Sequence, residues 1–92
     1  MIVLLSNKGK YEVPATLESG IIRAGEALFR MLEEGDDEKF KEKLSELHSF
    51  VVTKGIPVEA FRHTDLVVPP AGSDPGFLRL VLGIDKAEKG IY

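Results

Sequence analysis

Three stretches of this chain hold residue types that can do chemistry. Ser6-Asn7-Lys8-Gly9-Lys10 sets a glycine between two lysines. Backbone N–H groups beside a glycine, with point charges on either side, can receive a phosphate. Loops at strand ends are common ligand sites in α/β folds. The stretch matches neither GxxxxGK(S/T) nor GxGxxG, so the plainer reading is a polar turn. Arg62-His63-Thr64-Asp65 puts an imidazole two residues from a carboxylate, the makings of an oriented acid–base pair. Residues two apart in an extended segment share a face without having to touch. No Ser or Thr can be set beside His63 from the sequence, so no catalytic set is recognised. His63 and Asp65 stand only as candidates, and Lys8, Gly9, Lys10 and Arg62 are the expected ligand-binding residues. The third stretch is acidic: Glu33, Glu34, Asp36, Asp37 and Glu38. Carboxylates can hold a hard cation, but DxDxDG spacing is absent, and capping with solvation is the simpler role.

Two single residues add to this. His48 falls near the end of an expected helix, where the dipole favours a cation. Arg79 lies among apolar residues in Phe77-Leu78-Arg79-Leu80-Val81-Leu82. It calls for an acid on a neighbouring strand or across an interface.

Composition removes several classes of function. The chain has no cysteine, which excludes disulfide staples, thiolate nucleophiles and Cys-ligated metals. It has two histidines, so an all-imidazole metal site would need a second chain. No metal or cofactor is expected. The net charge of −3 is unevenly placed: residues 33–46 hold seven acids against three lysines, and the rest is nearly balanced. With no basic stripe, nucleic acid is not expected as a primary partner. No apolar run approaches the roughly 20 residues of a membrane span, and the chain reads as a cytoplasmic protein with no membrane association.

These residues must be positioned by one small core, because 92 residues make a single domain. Ile2–Leu5 is β-branched and apolar and reads as a strand. The Asn7–Lys10 segment either turns a hairpin, pairing Tyr11–Val13 back on Val3–Leu5, or leads as a loop into a helix; the hairpin is preferred. Leu17, Ile21, Ala24, Leu28 and Leu32 recur at helical spacing, widened by Ile22, Gly25 and Phe29. Thr16 is the expected N-cap and Gly35 the stop. Gly20, Ala24 and Gly25 leave one helix face nearly bare, which suggests close approach by the sheet or a second helix. Phe40, Leu44, Leu47 and Val51 define a second helix, capped by Asp36 or Asp37 and running to about Lys54 before Gly55 and Pro57 end it. Ile56–Val58 reads as extended and Leu66–Val68 as a strand. Residues 69–76 are a loop of breakers. Phe77–Gly83 reads as the strongest strand, hairpinned to Leu66–Val68. Residues 85–92 read as a loose tail or a short final turn.

Gly55-Ile56-Pro57-Val58, Pro75-Gly76 and Leu82-Gly83-Ile84 faintly resemble the C-terminal half of the archaeal and eukaryotic-type peptidyl-tRNA hydrolases. There a GLP segment leads to a PG turn and an LGI strand. Lys8-Gly9-Lys10 resembles that family's basic loop. A strand is missing between the two helices here, and the segment before Pro75 is too long. Membership is therefore not inferred from these words.

The fold expected is a two-layer α/β sandwich of the α+β type. Two antiparallel helices cover one face of a three- or four-stranded sheet in the order β(β)ααββ. Strands apolar on both faces then leave one face uncovered, to be closed by loops and termini or by a second subunit. Val3, Leu5, Phe77, Arg79 and Val81 are the expected interface. The function expected is a small interaction or regulatory module that self-associates and is not an enzyme. The alternative is a protein that binds a phosphate-bearing small molecule or nucleotide, or a minimal hydrolase, using the Lys8-Gly9-Lys10 loop with His63 and Asp65.

Overall fold

A computed structural model describes residues 1–84, and the tail expected at 85–92 lies outside the described residues. Strand β1 (Ile2–Leu5) turns through Ser6–Lys8 into β2 (Gly9–Glu12), with Val3 opposite Tyr11 and Leu5 opposite Gly9. Asn7 has φ 72° and Gly9 φ 112°. The short polar side chain of Asn tolerates the first, and glycine alone takes the second at no cost. A hairpin is found, as preferred, but its second strand is Gly9–Glu12 rather than Tyr11–Val13, and the register sets Tyr11 opposite Val3.

A 3-10 turn at Ala15–Leu17 leads into α1 (Glu18–Glu34). Thr16 sits inside that turn and makes no cap, against expectation, because the helix begins two residues later. Gly35, at φ 75°, ends α1, with the Asp36 N–H on the Met31 carbonyl and the Gly35 N–H on that of Leu32. This is a Schellman closure. Helix α2 (Asp37–Lys54) follows at once, and its β-branched end stays helical. β3 (Ile56–Val58) and β4 (Leu66–Val68) complete a sheet of order β3-β2-β1-β4, with β4 parallel to β1. Pro57 is tolerated because β3 is an edge strand.

The last element overturns one expectation. Phe77–Gly83 is not a strand. Pro75–Leu82 is a helix, α3. Asp74 caps it by accepting from the Phe77 N–H at 3.0 Å, Pro75 opens it, and Gly83 closes it at φ 71°. The fourth strand comes instead from Ile56–Val58, and no hairpin joins residues 66–68 to 77–82. Leu82-Gly83-Ile84, part of the peptidyl-tRNA hydrolase resemblance, is a helix end.

The α+β sandwich itself is as expected. Val3, Leu5, Val13 and Val68 face Ile21, Leu28, Leu32, Phe40, Leu44, Leu47 and Val51 in one core. Val3 and Leu5 are completely buried there, so the expectation that they form an interface is corrected: the helices already cover them. The second sheet face is partly closed by the chain itself. β3 and β4 lie on opposite edges, and the 59–65 connection runs across the face that carries Lys10 and Glu12. The Lys10 ammonium donates to the Arg62 carbonyl, and Arg62 lies 3.7 Å from Glu12. Ile2, which exchanges hydrogen bonds with Asp65 at the end of that connection, is buried within the single chain.

Gly55 has an ordinary φ of −93°. Its constraint is space: a Cβ there would lie 2.7 Å from the Val51 carbonyl oxygen and 3.1 Å from the Tyr11 Cβ. The backbone cannot yield without moving α2 off β2. Gly55→Ala will destabilise the fold by about 2 kcal/mol through overpacking, to be read as a lower urea midpoint with an unchanged m-value.

Candidate functional site

The phosphate-binding and acid–base candidates are spread from the hairpin turn at Lys8 to Asp65 beside Ile2 at the other end of β1, and the polar groups of Lys10, Arg62 and Asp65 are engaged in holding the chain together. Lys8 is exposed in the hairpin turn. Lys10 is tied to the Arg62 carbonyl and Arg62 to Glu12. The Asp65 carboxylate accepts the Ile2 N–H at 2.8 Å, and the Asp65 N–H donates to the Ile2 carbonyl at 2.8 Å. Asp65 thus fastens β4 to β1. His63 Nε2 lies 3.8 Å from Asp65 on a side chain 88% exposed, too far for a hydrogen bond. A general base needs an oriented imidazole in a sheltered place, and this one is neither oriented nor sheltered.

The acidic run is also engaged. Asp37 receives a two-pronged contact from Arg79, at 2.9 and 3.3 Å, while Asp36 lies 4.0 Å from Lys39. Arg79 also donates to the Leu32 carbonyl at 3.2 Å. The acid that its sequence context demands therefore exists, but on α2 of the same chain. This corrects its place in an interface. The hydrogen bond to Asp37 raises the Arg79 pKa above its usual value against the cost of burial, aided by the charges of Asp37 and Asp74. His48 is likewise not a boundary residue: it is 1% exposed, with Nε2 2.6 Å from the Pro69 carbonyl oxygen.

Arg79 and the Asp74 cap seat α3 across the α1–α2 junction, and that seating shapes the main concavity. Leu78 points toward the core, while Phe77, Leu80 and Val81 stay exposed. Phe77 and Val81, two of the expected interface residues, are thus on a free surface, although that of a helix. Between α3, α1 and the edge strand β4 lies a groove of about 580 Å3. Ile22, Gly25, Glu26 and Phe29 of α1 form one wall. Leu78 and Leu82 of α3 and Leu66–Val68 of β4 form the others, over a floor that includes Phe40 and Leu47. Among the described residues, Glu26 is the only charged one lining it. Ile22, Phe29, Val67 and Leu82 are each roughly half exposed along its rim.

The sequence pattern places Ile22, Gly25 and Phe29 on α1, where they widen the apolar stripe. Their signal was the width of the apolar stripe, broader than one buried face requires. Gly25 is informative. A glycine inside a helix costs about 1 kcal/mol relative to alanine. The expected cause, close approach within the chain, is not seen among the described residues: a Cβ at Gly25 or at Gly20 would meet none of their atoms within 4 Å.

The groove is an open, apolar surface, and among the described residues that line it Glu26 is the only one with an ionisable side chain. Contiguous apolar surface of this kind is what interaction sites present. Among the described residues no helix is long and apolar enough to cross a membrane. Comparison with known proteins gives one family: a model described as PspA-associated protein matches residues 1–80. No curated protein and no solved structure matches.

Proposed function

The chain belongs to the PspA-associated protein family, and from that premise we propose that it is an interaction module that docks on PspA through the groove between α1, α3 and β4. The family's description supports a protein partner. The observation that carries the site is the apolar, open character of the groove, with Ile22, Phe29, Val67 and Leu82 all half exposed at its rim. Contiguous apolar surface of this kind marks interaction sites on small proteins. The expected homo-oligomer is the competing occupant of the same surface. No observation favours the phosphate or hydrolase reading, because Lys10 and Asp65 are engaged within the chain.

The test is calorimetric titration of this protein with purified full-length PspA, alongside light scattering of each protein alone. A monomer that binds PspA is the expected result, and Phe29→Glu, at an exposed position, should weaken binding by about a hundredfold with the thermal midpoint unchanged. Absence of binding by the wild type overturns the reading. So does a stable homodimer that Phe29→Glu dissociates.

A further inference from the structure

We propose that residues 70–84 form a strap: they lift from the body of the domain as one unit, hinged behind Pro69 and latched by Arg79, and the groove exists only in the latched state. Three observations carry it.

The first is where the hydrogen bonds go. Among the described residues, every hydrogen bond of residues 70–84 other than those of the Arg79 side chain begins and ends within the segment. The Ser73 N–H and hydroxyl both donate to the Pro70 carbonyl. The Phe77 N–H donates to the Asp74 carboxylate, and the Gly83 and Ile84 N–H groups donate to the Leu80 and Arg79 carbonyls. Lifting the segment from the domain breaks none of these directly. It breaks the bonds of one guanidinium, to the Asp37 carboxylate and the Leu32 carbonyl.

The second is burial. Pro75 is the buried residue of α3, and Leu78 and Ile84 are partly buried against the core. Phe77, Leu80, Val81 and Leu82 stay exposed. Hydrophobic stabilisation scales with the area removed from water, so this helix is held on the domain by a small share of the core.

The third is the contrast across Pro69. Up to that residue the chain is fixed: Leu66–Val68 pair with β1, and His48 Nε2 holds the Pro69 carbonyl oxygen at 2.6 Å. Beyond it, Ala71 and Gly72 are exposed, and Gly72 turns the chain at φ 84°. Local opening is drawn from segments with few buried apolar contacts, and a few residues at an element's end can absorb the rotation. A detached eight-residue helix has no stability of its own. α3 therefore unwinds when it lifts, and its amides report the opening.

Leu78 and Leu82 form one wall of the groove. Opening removes that wall, so a partner held in the groove binds the latched state, and docking and latching strengthen each other. That link rests on the docking function above; the strap itself does not.

The experiment is native-state hydrogen exchange of the full chain in low concentrations of urea, for the wild type and Arg79→Met, and for the wild type with saturating full-length PspA. In the wild type the amides of residues 78–84 should exchange together, at least about tenfold faster than those of β1 and α2. Low urea should hardly change their rate, because a local opening exposes little surface. Arg79→Met should speed them by a further tenfold or so, with the amides of β1 tracking global stability. PspA should slow them at least about tenfold. Protection and urea dependence equal to those of β1 would mean that the segment opens only with the whole domain, and the proposal fails. It fails equally if the rates are graded from Ile84 back to Leu78, the mark of a fraying end, or if Arg79→Met leaves them unmoved. If PspA binds and these amides exchange as before, the link to the groove is wrong while the strap stands. If PspA does not bind, the docking function is lost, and exchange in the protein alone still decides the strap.

Discussion

Arg79→Met will lower stability by about 2 kcal/mol and weaken binding at the groove, because one side chain holds the third helix in place. α3 is eight residues long, and four of them, Phe77, Leu80, Val81 and Leu82, are exposed apolar side chains. A helix of that length has no stability of its own. Its position depends on the Asp74 cap, on Leu78 against the core, and on Arg79. The guanidinium bonds both oxygens of Asp37, at the start of α2, and the Leu32 carbonyl, in the last turn of α1. It therefore ties together the two helix ends that meet at Gly35. Its side chain is 12% exposed and that of Asp37 42%, so solvent screens the pair only in part, which places its worth above that of an ordinary surface salt bridge. Lysine cannot reproduce a fork that meets three oxygens, and Arg79→Lys should recover less than half of the loss. The raised pKa of Arg79 makes its contribution fully present below the unfolded value and lost only as pH rises through the folded one. From the arginine side, stability is therefore flat with pH across the neutral range. Hydrogen exchange separates a local from a global effect: amides of residues 78–82 should exchange faster in Arg79→Met while those of β1 and α2 follow global stability. Unchanged α3 protection would show that Arg79 does not seat the helix.

The misreading of α3 shows where sequence patterns run out. Phe77, Leu78, Leu80, Val81 and Leu82 surround one arginine in six residues, and a short apolar run carries no usable period. The decisive signal lay just before it. Asp74-Pro75 is an N-cap followed by proline at the first helical position, and Gly83 supplies the stop. Read as a breaker cluster, the same residues looked like the tip of a hairpin. With Pro75–Leu82 helical, the doubly apolar strand that pointed to a second subunit is one strand fewer. The β1–β2 hairpin and both long helices were legible for the opposite reason. Their turn residues (Asn7, Gly9 and Gly35) agree with the flanking hydrophobic periods. The groove was half legible: Ile22, Gly25 and Phe29 declared a stripe wider than a core needs. Its other walls depend on the sequence-distant β4 and α3. Local pattern cannot show that residues 22 and 82 meet.

His48→Ala should cost more than any other single change considered, about 3–4 kcal/mol, combining a core cavity with a lost buried hydrogen bond. The ring lies among the most buried side chains of the domain, near Leu44, Leu47 and Val51 on α2. Nε2 reaches the Pro69 carbonyl oxygen at 2.6 Å. A carbonyl only accepts, so Nε2 bears the proton and donates. Nδ1 is then a bare acceptor, buried and without a partner among the described residues. The ring therefore gains on one side and loses on the other. This asymmetry makes a second variant informative. His48→Leu keeps most of the volume and removes the orphaned nitrogen, but strands the Pro69 carbonyl. It should cost about 1–2 kcal/mol, well short of alanine. The difference between the two measures cavity, and the residual of the leucine variant measures the tie between α2 and the end of β4. That tie bears on function, because Leu66–Val68 form a wall of the groove and Pro69 is the first residue after them. Chemical denaturation gives both values. A leucine variant as stable as the wild type would mean that the hydrogen bond merely offsets the orphaned Nδ1. In that case the β4 wall is held by its pairing with β1 and by Asp65 on Ile2 alone.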